Sequence, residues 1–163
     1  VTRLIVDKEC GAITKALEND IPIHRINNKK PSNLSSALDS VVPTNTNLIV
    51  LAGFMPILSK EFCKKWSQKI INTHPSLLPK YGGIGMYGVK VQEAVMAAKE
   101  ENAGCSVHYV TEKVDMGKVL AQESIKVNYD ESPWELGGRI HNIEKKLLLK
   151  TINQLISKKS VHQ

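Results

Sequence analysis

Three side chains in this sequence are of types that could do acid–base chemistry together. The stretch Asn72-Thr73-His74-Pro75-Ser76-Leu77-Leu78-Pro79 puts a carboxamide two residues before an imidazole. In an extended chain, residues two apart face the same side, about 6.6 Å from each other. Asn72 and His74 would then point into one space, and Pro75 favours extended backbone at His74. An amide N–H can donate to an oxyanion, and an imidazole moves protons near neutral pH. A carboxylate would complete the set. Asp115, in Val114-Asp115-Met116-Gly117, is the candidate. Bonded to His74, it would fix the ring's tautomer and favour its charged form. On these residues alone a plainer alternative stays open, with His74 a turn residue and Asp115 a cap or turn former.

The elements that must position these groups follow from hydrophobic patterning. Residues 2–6 are β-rich, 11–19 read as a helix with Ile13, Ala16 and Leu17 on one face, and 21–26 are extended. Residues 31–40 are polar, a short helix or loop. The apolar run 47–52 fits a strand covered on both faces, hence a parallel sheet. Residues 56–66 read as a helix with Leu58, Phe62 and Trp66 inward, 69–72 as a strand and 73–88 as a loop dense in Pro and Gly. A helix is expected over 89–100. Strands at 105–111 and 118–127, joined by 112–117, should pair antiparallel. Ser132-Pro133-Trp134-Glu135 is a capping box with Pro at the first helical position. It opens a helix to about residue 157, whose buried stripe is Leu136, Ile140, Ile143, Leu147, Leu148, Ile152 and Leu155. Gly137 and Gly138 each weaken its first turns by about 1 kcal/mol relative to Ala.

Strands alternating with helices indicate an α/β fold: a mostly parallel, Rossmann-like sheet with helices on both faces, antiparallel strands near the C-terminal end and a long C-terminal helix. Ligands in such folds bind beyond the carboxyl ends of the strands, which points to the segment after 69–72.

The 163 residues suit one domain, and 42% hydrophobic and 23% charged residues are ordinary for a globular protein. No uncharged apolar run approaches the roughly 20 residues of a membrane span. The net charge is +6. Much of it lies in residues 139–163, where Arg139, Lys145, Lys146, Lys150, Lys158 and Lys159 face Glu144 alone. Without aromatic stacking residues beside it, this reads as a solvated helix face rather than a nucleic-acid surface. Cys10, Cys63 and Cys105 have no zinc spacing and no CxxC, so a reducing, cytoplasmic setting and no bound metal are expected. Cys105 reads as a small core residue, His108 as a structural strand residue, and His24 and His162 as exposed. Gly82-Gly83-Ile84-Gly85 lacks a P-loop lysine and reads as a mobile loop.

The blocks Leu51-Ala52-Gly53-Phe54-Met55-Pro56-Ile57-Leu58, then 71–81 around His74, then Ser106-Val107-His108-Tyr109-Val110, and Val114-Asp115-Met116-Gly117 together resemble the phosphoribosylglycinamide formyltransferase family. The resemblance runs from about residue 2 to about residue 156. The Asn-x-His-Pro-Ser-Leu-Leu-Pro block alone would indicate only the wider folate-dependent formyltransferase superfamily, whose other members act on methionyl-tRNA or amino sugars.

The resemblance implies formyl transfer from 10-formyltetrahydrofolate, as co-substrate, to the amine of 5-phosphoribosylglycinamide. His74 would be the acid/base, Asn72 the oxyanion donor, and Asp115 the group that tunes His74. Leu51, Met55, Pro56, Ile57 and Leu58, with Thr111, Glu112, Lys113, Val114 and Asp115, would frame the folate beside Asn72. His141, Asn142, Ile143 and Glu144 match the segment that contacts the glycinamide substrate, Glu144 being the partner of its amine. The glycine loop would lie over the folate, and residues 86–88 stand where many members have a histidine-rich stretch. Lys29 or Lys30 is the candidate for the arginine that members use near the folate tail. The implied partners are these small molecules, with no nucleic acid and no membrane, for a monomer or homodimer. Residues 1–163 would form one formyltransferase domain. Because residues 1–6 resemble the family's second strand, an N-terminal βα unit with its phosphate loop is expected to be missing. The alternatives are another amine acceptor, an amino sugar or methionyl-tRNA, or a folate-binding domain with impaired catalysis.

Overall fold

The computed structural model describes residues 1–26 and 34–160 (for 158–160 the backbone alone). The elements are β1 (Leu4–Val6), α1 (Gly11–Glu18), β2 (Ile23–Arg25), α2 (Leu34–Val41), β3 (Ile49–Val50), α3 (Lys60–Lys65), β4 (Ile70–His74), α4 (Val89–Ala97), β5 (Asn102–Tyr109), β6 (Val119–Lys126) and α5 (Pro133–Ser160). β1 and β2 pair in parallel as a two-stranded sheet. A second sheet has the order β3-β4-β5-β6, parallel between β3 and β4 and antiparallel thereafter. The expected α/β class is present, with helices on both faces, an antiparallel C-terminal part and the long last helix.

The core has two halves, one on each face of the four-stranded sheet. One gathers Leu34 and Leu38 of α2, Phe62 and Cys63 of α3, Leu58, Trp66 and Ile70. The other gathers Val95 of α4, Leu136, Ile140 and Leu147 of α5, and Ile71, Cys105 and Val107. Ile70 and Ile71 are both fully buried, so β4 is covered on both sides. The stripe expected on α5 is the one observed, since Ile143, Leu148, Ile152 and Leu155 also pack on the second half. Its capping box forms as well. Glu135 Oε2 accepts from the Ser132 N–H at 2.8 Å, and Ser132 Oγ accepts from the Glu135 N–H at 3.3 Å.

Several elements differ from the sequence reading. The helix expected over 56–66 begins only at Lys60, because Ser59 caps it by accepting from the Phe62 N–H. Leu58 and Trp66 are nevertheless buried, so the apolar spacing was a packing signal that outran the helix. The strand expected over 47–52 is regular only at Ile49–Val50, and Val50 is 37% exposed. Among the described residues its partner strand is β4, and the two pair in parallel as expected. Leu17 is exposed and does not join Ile13 and Ala16 in the buried face of α1. His24 is half-buried. β5 starts earlier than expected, at Asn102, which stands opposite Lys126. The expectations that fall on Lys29, Lys30 and His162 lie outside the described residues. Among the described residues no helix is long and apolar enough to cross a membrane.

Two measurements test this core. Ile71→Ala should lower the unfolding free energy by about 2–5 kcal/mol in urea, the usual range for emptying a buried aliphatic site. A loss below about 1 kcal/mol would contradict the two-sided burial of β4. Burial pushes the Cys105 thiol up to about 12 and raises that of Cys63, whereas Cys10 is exposed. A thiol reagent at neutral pH should therefore label Cys10 in the native chain and all three cysteines after denaturation.

Candidate active site

β4 ends on His74, one turn of the pleat beyond Asn72. Alternation along the strand puts Asn72 and His74 on the side of Ile70. In the antiparallel pairing with β5, Asn72 stands opposite His108 and His74 opposite Ser106. Directly opposed residues share a face. Four polar side chains thus collect at one end of one sheet face, while Cys105 and Val107 point into the apolar half behind.

Asp115 reaches this cluster from the β5–β6 connector. His74 Nδ1 lies 3.3 Å from Asp115 Oδ2, with both side chains at most one-tenth exposed. The Gly83 N–H donates to the same oxygen at 2.9 Å. The other face of the carboxylate, Oδ1, lies 3.5 Å from His108 Nε2. A buried carboxylate needs such compensation, since burying a charge without partners is costly. Asp115 itself has φ +55°, in the left-handed region that Asp tolerates better than most residues. Gly117 permits the turn, because a Cβ there would fall on the Tyr109 carbonyl.

The loop after His74 is pinned by its own backbone. His74 Nε2 donates to the Tyr81 carbonyl at 2.8 Å. Ser106 Oγ, fully buried, donates to the Ser76 carbonyl at 2.6 Å and accepts from the Leu78 N–H at 3.0 Å. Gln122 on β6 donates to the Leu78 carbonyl at 2.9 Å. Lys80 and Tyr81 both bond Glu100 Oε1 at 2.8 Å, which holds the Glu100 carboxyl below its usual range. The glycine stretch therefore starts docked on Asp115. Gly82 sits so close to Leu78 and Asp115 that a side chain there would collide with Leu78. The stretch then exposes Ile84 and runs into the N-terminus of α4, where Gly88 is the N-cap with φ +58°.

The other candidate residues fall into two groups. Leu51 follows β3, and its N–H bonds the Ile71 carbonyl. Met55 and Ile57 are exposed, Pro56 is half-buried, and Leu58 is buried in the core. Thr111 closes a local turn with Lys113 at 3.1 Å, and Val114 is half-buried. Glu112 lies 3.4 Å from Lys60, which ties the 111–115 connector to the segment ending at α3. On α5, His141 Nδ1 lies 3.2 Å from Glu144 Oε2. Both line a cleft of about 250 Å³ between α4 and α5 that reaches Pro75, the residue after His74. Asn142 is exposed and Ile143 packs on the core, so that segment turns two of its four side chains to the cleft.

Sequence reasoning took His108 for a structural strand residue. It is buried at the carboxylate. The signal that could have found it is the antiparallel register, which sets it opposite Asn72. Gln92 was also missed: it is buried, donates to the Pro75 carbonyl at 3.1 Å and lines the cleft. Among the described residues no group of three His, Cys, Asp or Glu is placed to hold a metal ion.

Comparison with known proteins shows what the chain as a whole is similar to. A protein of Vigna unguiculata named phosphoribosylglycinamide formyltransferase, chloroplastic, is 34% identical over 99% of this chain and 53% of its own length. The Bos taurus trifunctional purine biosynthetic protein adenosine-3 is 36% identical over 84% of this chain and 14% of its own. The solved phosphoribosylglycinamide formyltransferase of Anaplasma phagocytophilum aligns with a TM-score of 0.78 at 30% identity, over 93% of this chain and 72% of that one. That of Bacillus halodurans gives 0.81 at 27% identity, over 98% and 82%. The chain spans about half the length of the curated plant relatives it matches. The formyl transferase family matches residues 3–152, a span that includes β4 with Asn72 and His74, the connector with Asp115 and the α5 segment with His141 and Glu144, and the chain belongs to that family.

Proposed function

We propose that the chain is one formyltransferase domain that moves a formyl group from 10-formyltetrahydrofolate to the amine of 5-phosphoribosylglycinamide, a reaction of purine biosynthesis. The observation that carries this reading is the buried His74–Asp115 pair at the end of β4, with Asn72 on the same face. The family membership and the named relatives support the acceptor.

In this reading His74 moves the proton: it takes one from the attacking amine side and delivers one to the leaving folate nitrogen. Asn72 donates its amide N–H to the oxygen that gains charge. Asp115 orients the imidazole through Nδ1. His74 is only 4% exposed and its Nε2 is bonded to the Tyr81 carbonyl, so proton exchange with a substrate requires that bond to open. Leu51, Met55, Pro56, Ile57 and Leu58, with Thr111, Glu112, Lys113 and Val114, are read as the two sides of the folate site, and the Lys60–Glu112 contact that joins these segments supports this. His141 and Glu144 are read as the amine-facing side, with Asn142 and Ile143 as their support. That they line one cleft with Pro75, the residue after His74, supports this reading. The chemistry as read uses no metal.

The direct test is incubation of the chain with 10-formyltetrahydrofolate and the glycinamide ribonucleotide while tetrahydrofolate release is followed. His74→Ala should lower kcat by at least about 10²-fold, the ordinary size of a general acid–base contribution. Full activity in that variant would refute the role given to His74. An amino sugar nucleotide or methionyl-tRNA accepted in preference to the ribonucleotide would replace the acceptor. Gly117→Ala should shift the connector that carries Asp115 and cost roughly 10-fold or more in kcat, since misplacement of about 1 Å can cost 10²-fold. Unchanged kcat in a folded Gly117→Ala protein would count against Asp115 as the orienting group.

A further inference from the structure

We propose that His108 is a positioning residue of this site, sharing with His74, through the Asp115 carboxylate between them, a single proton beyond the two ring N–H groups anchored on backbone carbonyls. The inference rests on the reading of His74 as the acid/base residue.

The hydrogen-bond inventory carries it. His74 Nε2 faces the Tyr81 carbonyl at 2.8 Å, and His108 Nδ1 faces the Tyr109 carbonyl at 2.9 Å. A carbonyl only accepts, so both of these nitrogens carry hydrogen. The nitrogens left over, His74 Nδ1 and His108 Nε2, face the two oxygens of one carboxylate at 3.3 and 3.5 Å. His108 Nε2 is buried and has no hydrogen-bond partner. With both rings neutral, an ionised Asp115 would lie between two lone pairs. One added proton turns one of those contacts into a charge-assisted bond. A second would put two cations on one buried carboxylate.

Among the described residues the charged groups that act on His108 are Asp115 and His74. Across the sheet His108 stands opposite Asn72 on β4 and Val119 on β6, neither of them titratable, and the loop turns the Tyr81 carbonyl to His74 and the Gly83 N–H to Asp115. Burial holds the His108 ring below the ordinary imidazole value, and repulsion from His74 acts in the same direction. The Tyr109 carbonyl and Asp115 oppose it. His74 Nδ1 and His108 Nε2, facing the two oxygens of Asp115, are thus the two seats open to the added proton. Removing the His108 seat leaves His74 without a competitor.

The experiment is a titration of the full chain labelled with ¹⁵N-histidine, followed by NMR between about pH 5 and 8. The His108 ring should be protonated at Nδ1 and should inflect at the same pH as the His74 ring. His108→Asn keeps a donor for the Tyr109 carbonyl and loses the nitrogen facing Asp115. It should move the His74 inflection up by about one pH unit, the scale of one close charge interaction. His108→Gln supplies a fixed amide donor at the Nε2 position and should move it the other way. The glutamine variant also keeps the test open if the asparagine variant fails to fold. A His108 ring that stays unchanged across the range overturns the proposal. So does a folded variant that lowers Tm while His74 titrates as in the native chain, which would be a structural role only. If the native chain transfers no formyl group but the two rings inflect together, the shared proton stands and the functional reading falls.

Discussion

The register of β4, the strand paired on both of its edges and buried at Ile70 and Ile71, is the constraint on which the site depends. Ile70 and Ile71 are adjacent, fully buried and turned into opposite halves of the core. A slip of one residue would exchange two isoleucines without loss of apolar cover, but it would turn Asn72 and His74 into the apolar half that holds Val107, Leu136 and Ile140. The same alternation carries Asn72 and His74 to the α3 side. The position of the polar pair thus follows from the register of β4 between β3 and β5. The strand's backbone groups are met on both edges, in parallel by β3 and antiparallel by β5. The end that carries His74 is therefore as firmly placed as the core itself.

Beyond that end, order comes from polar groups rather than apolar area. Ser106 and Gln122 reach out of β5 and β6 to bond the backbone of residues 76–78. Such bonds matter because unpaired backbone groups under a loop are costly to bury. Asp115 is the counterpart on the opposite connector. Its carboxylate holds the start of the glycine stretch and faces two imidazoles at once. One carboxylate therefore links the start of the loop to both imidazoles, and the left-handed backbone at Asp115 is held by that surrounding structure.

The basic C-terminal helix is anchored by its opposite side. Leu136, Ile140 and Leu147 are buried, while Lys145, Lys146 and Lys150 are exposed. Only the first turns, through Trp134, Gly137, His141 and Glu144, take part in the cleft beside His74. The helix packs on the core along most of its length and borders the cleft near its start.

The sequence by itself determined the α/β class, the capping box at 132–135 and the stripe of α5, and it singled out Asn72, His74 and Asp115 as candidates. These are set by local rules: period two in a strand, period near 3.6 in a helix, and proline's effect on its neighbour. It misjudged the extent of β3 and α3, because the runs 47–52 and 56–66 signal packing, and packing continues where regular hydrogen bonding stops. It had no means of linking His108 to Asp115, or Gln92 to the Pro75 carbonyl. Those contacts depend on which strand lies beside which and in what register, and on how α4 leans over the loop. Pairing of that kind joins residues far apart in the chain, and only the closed tertiary structure decides it.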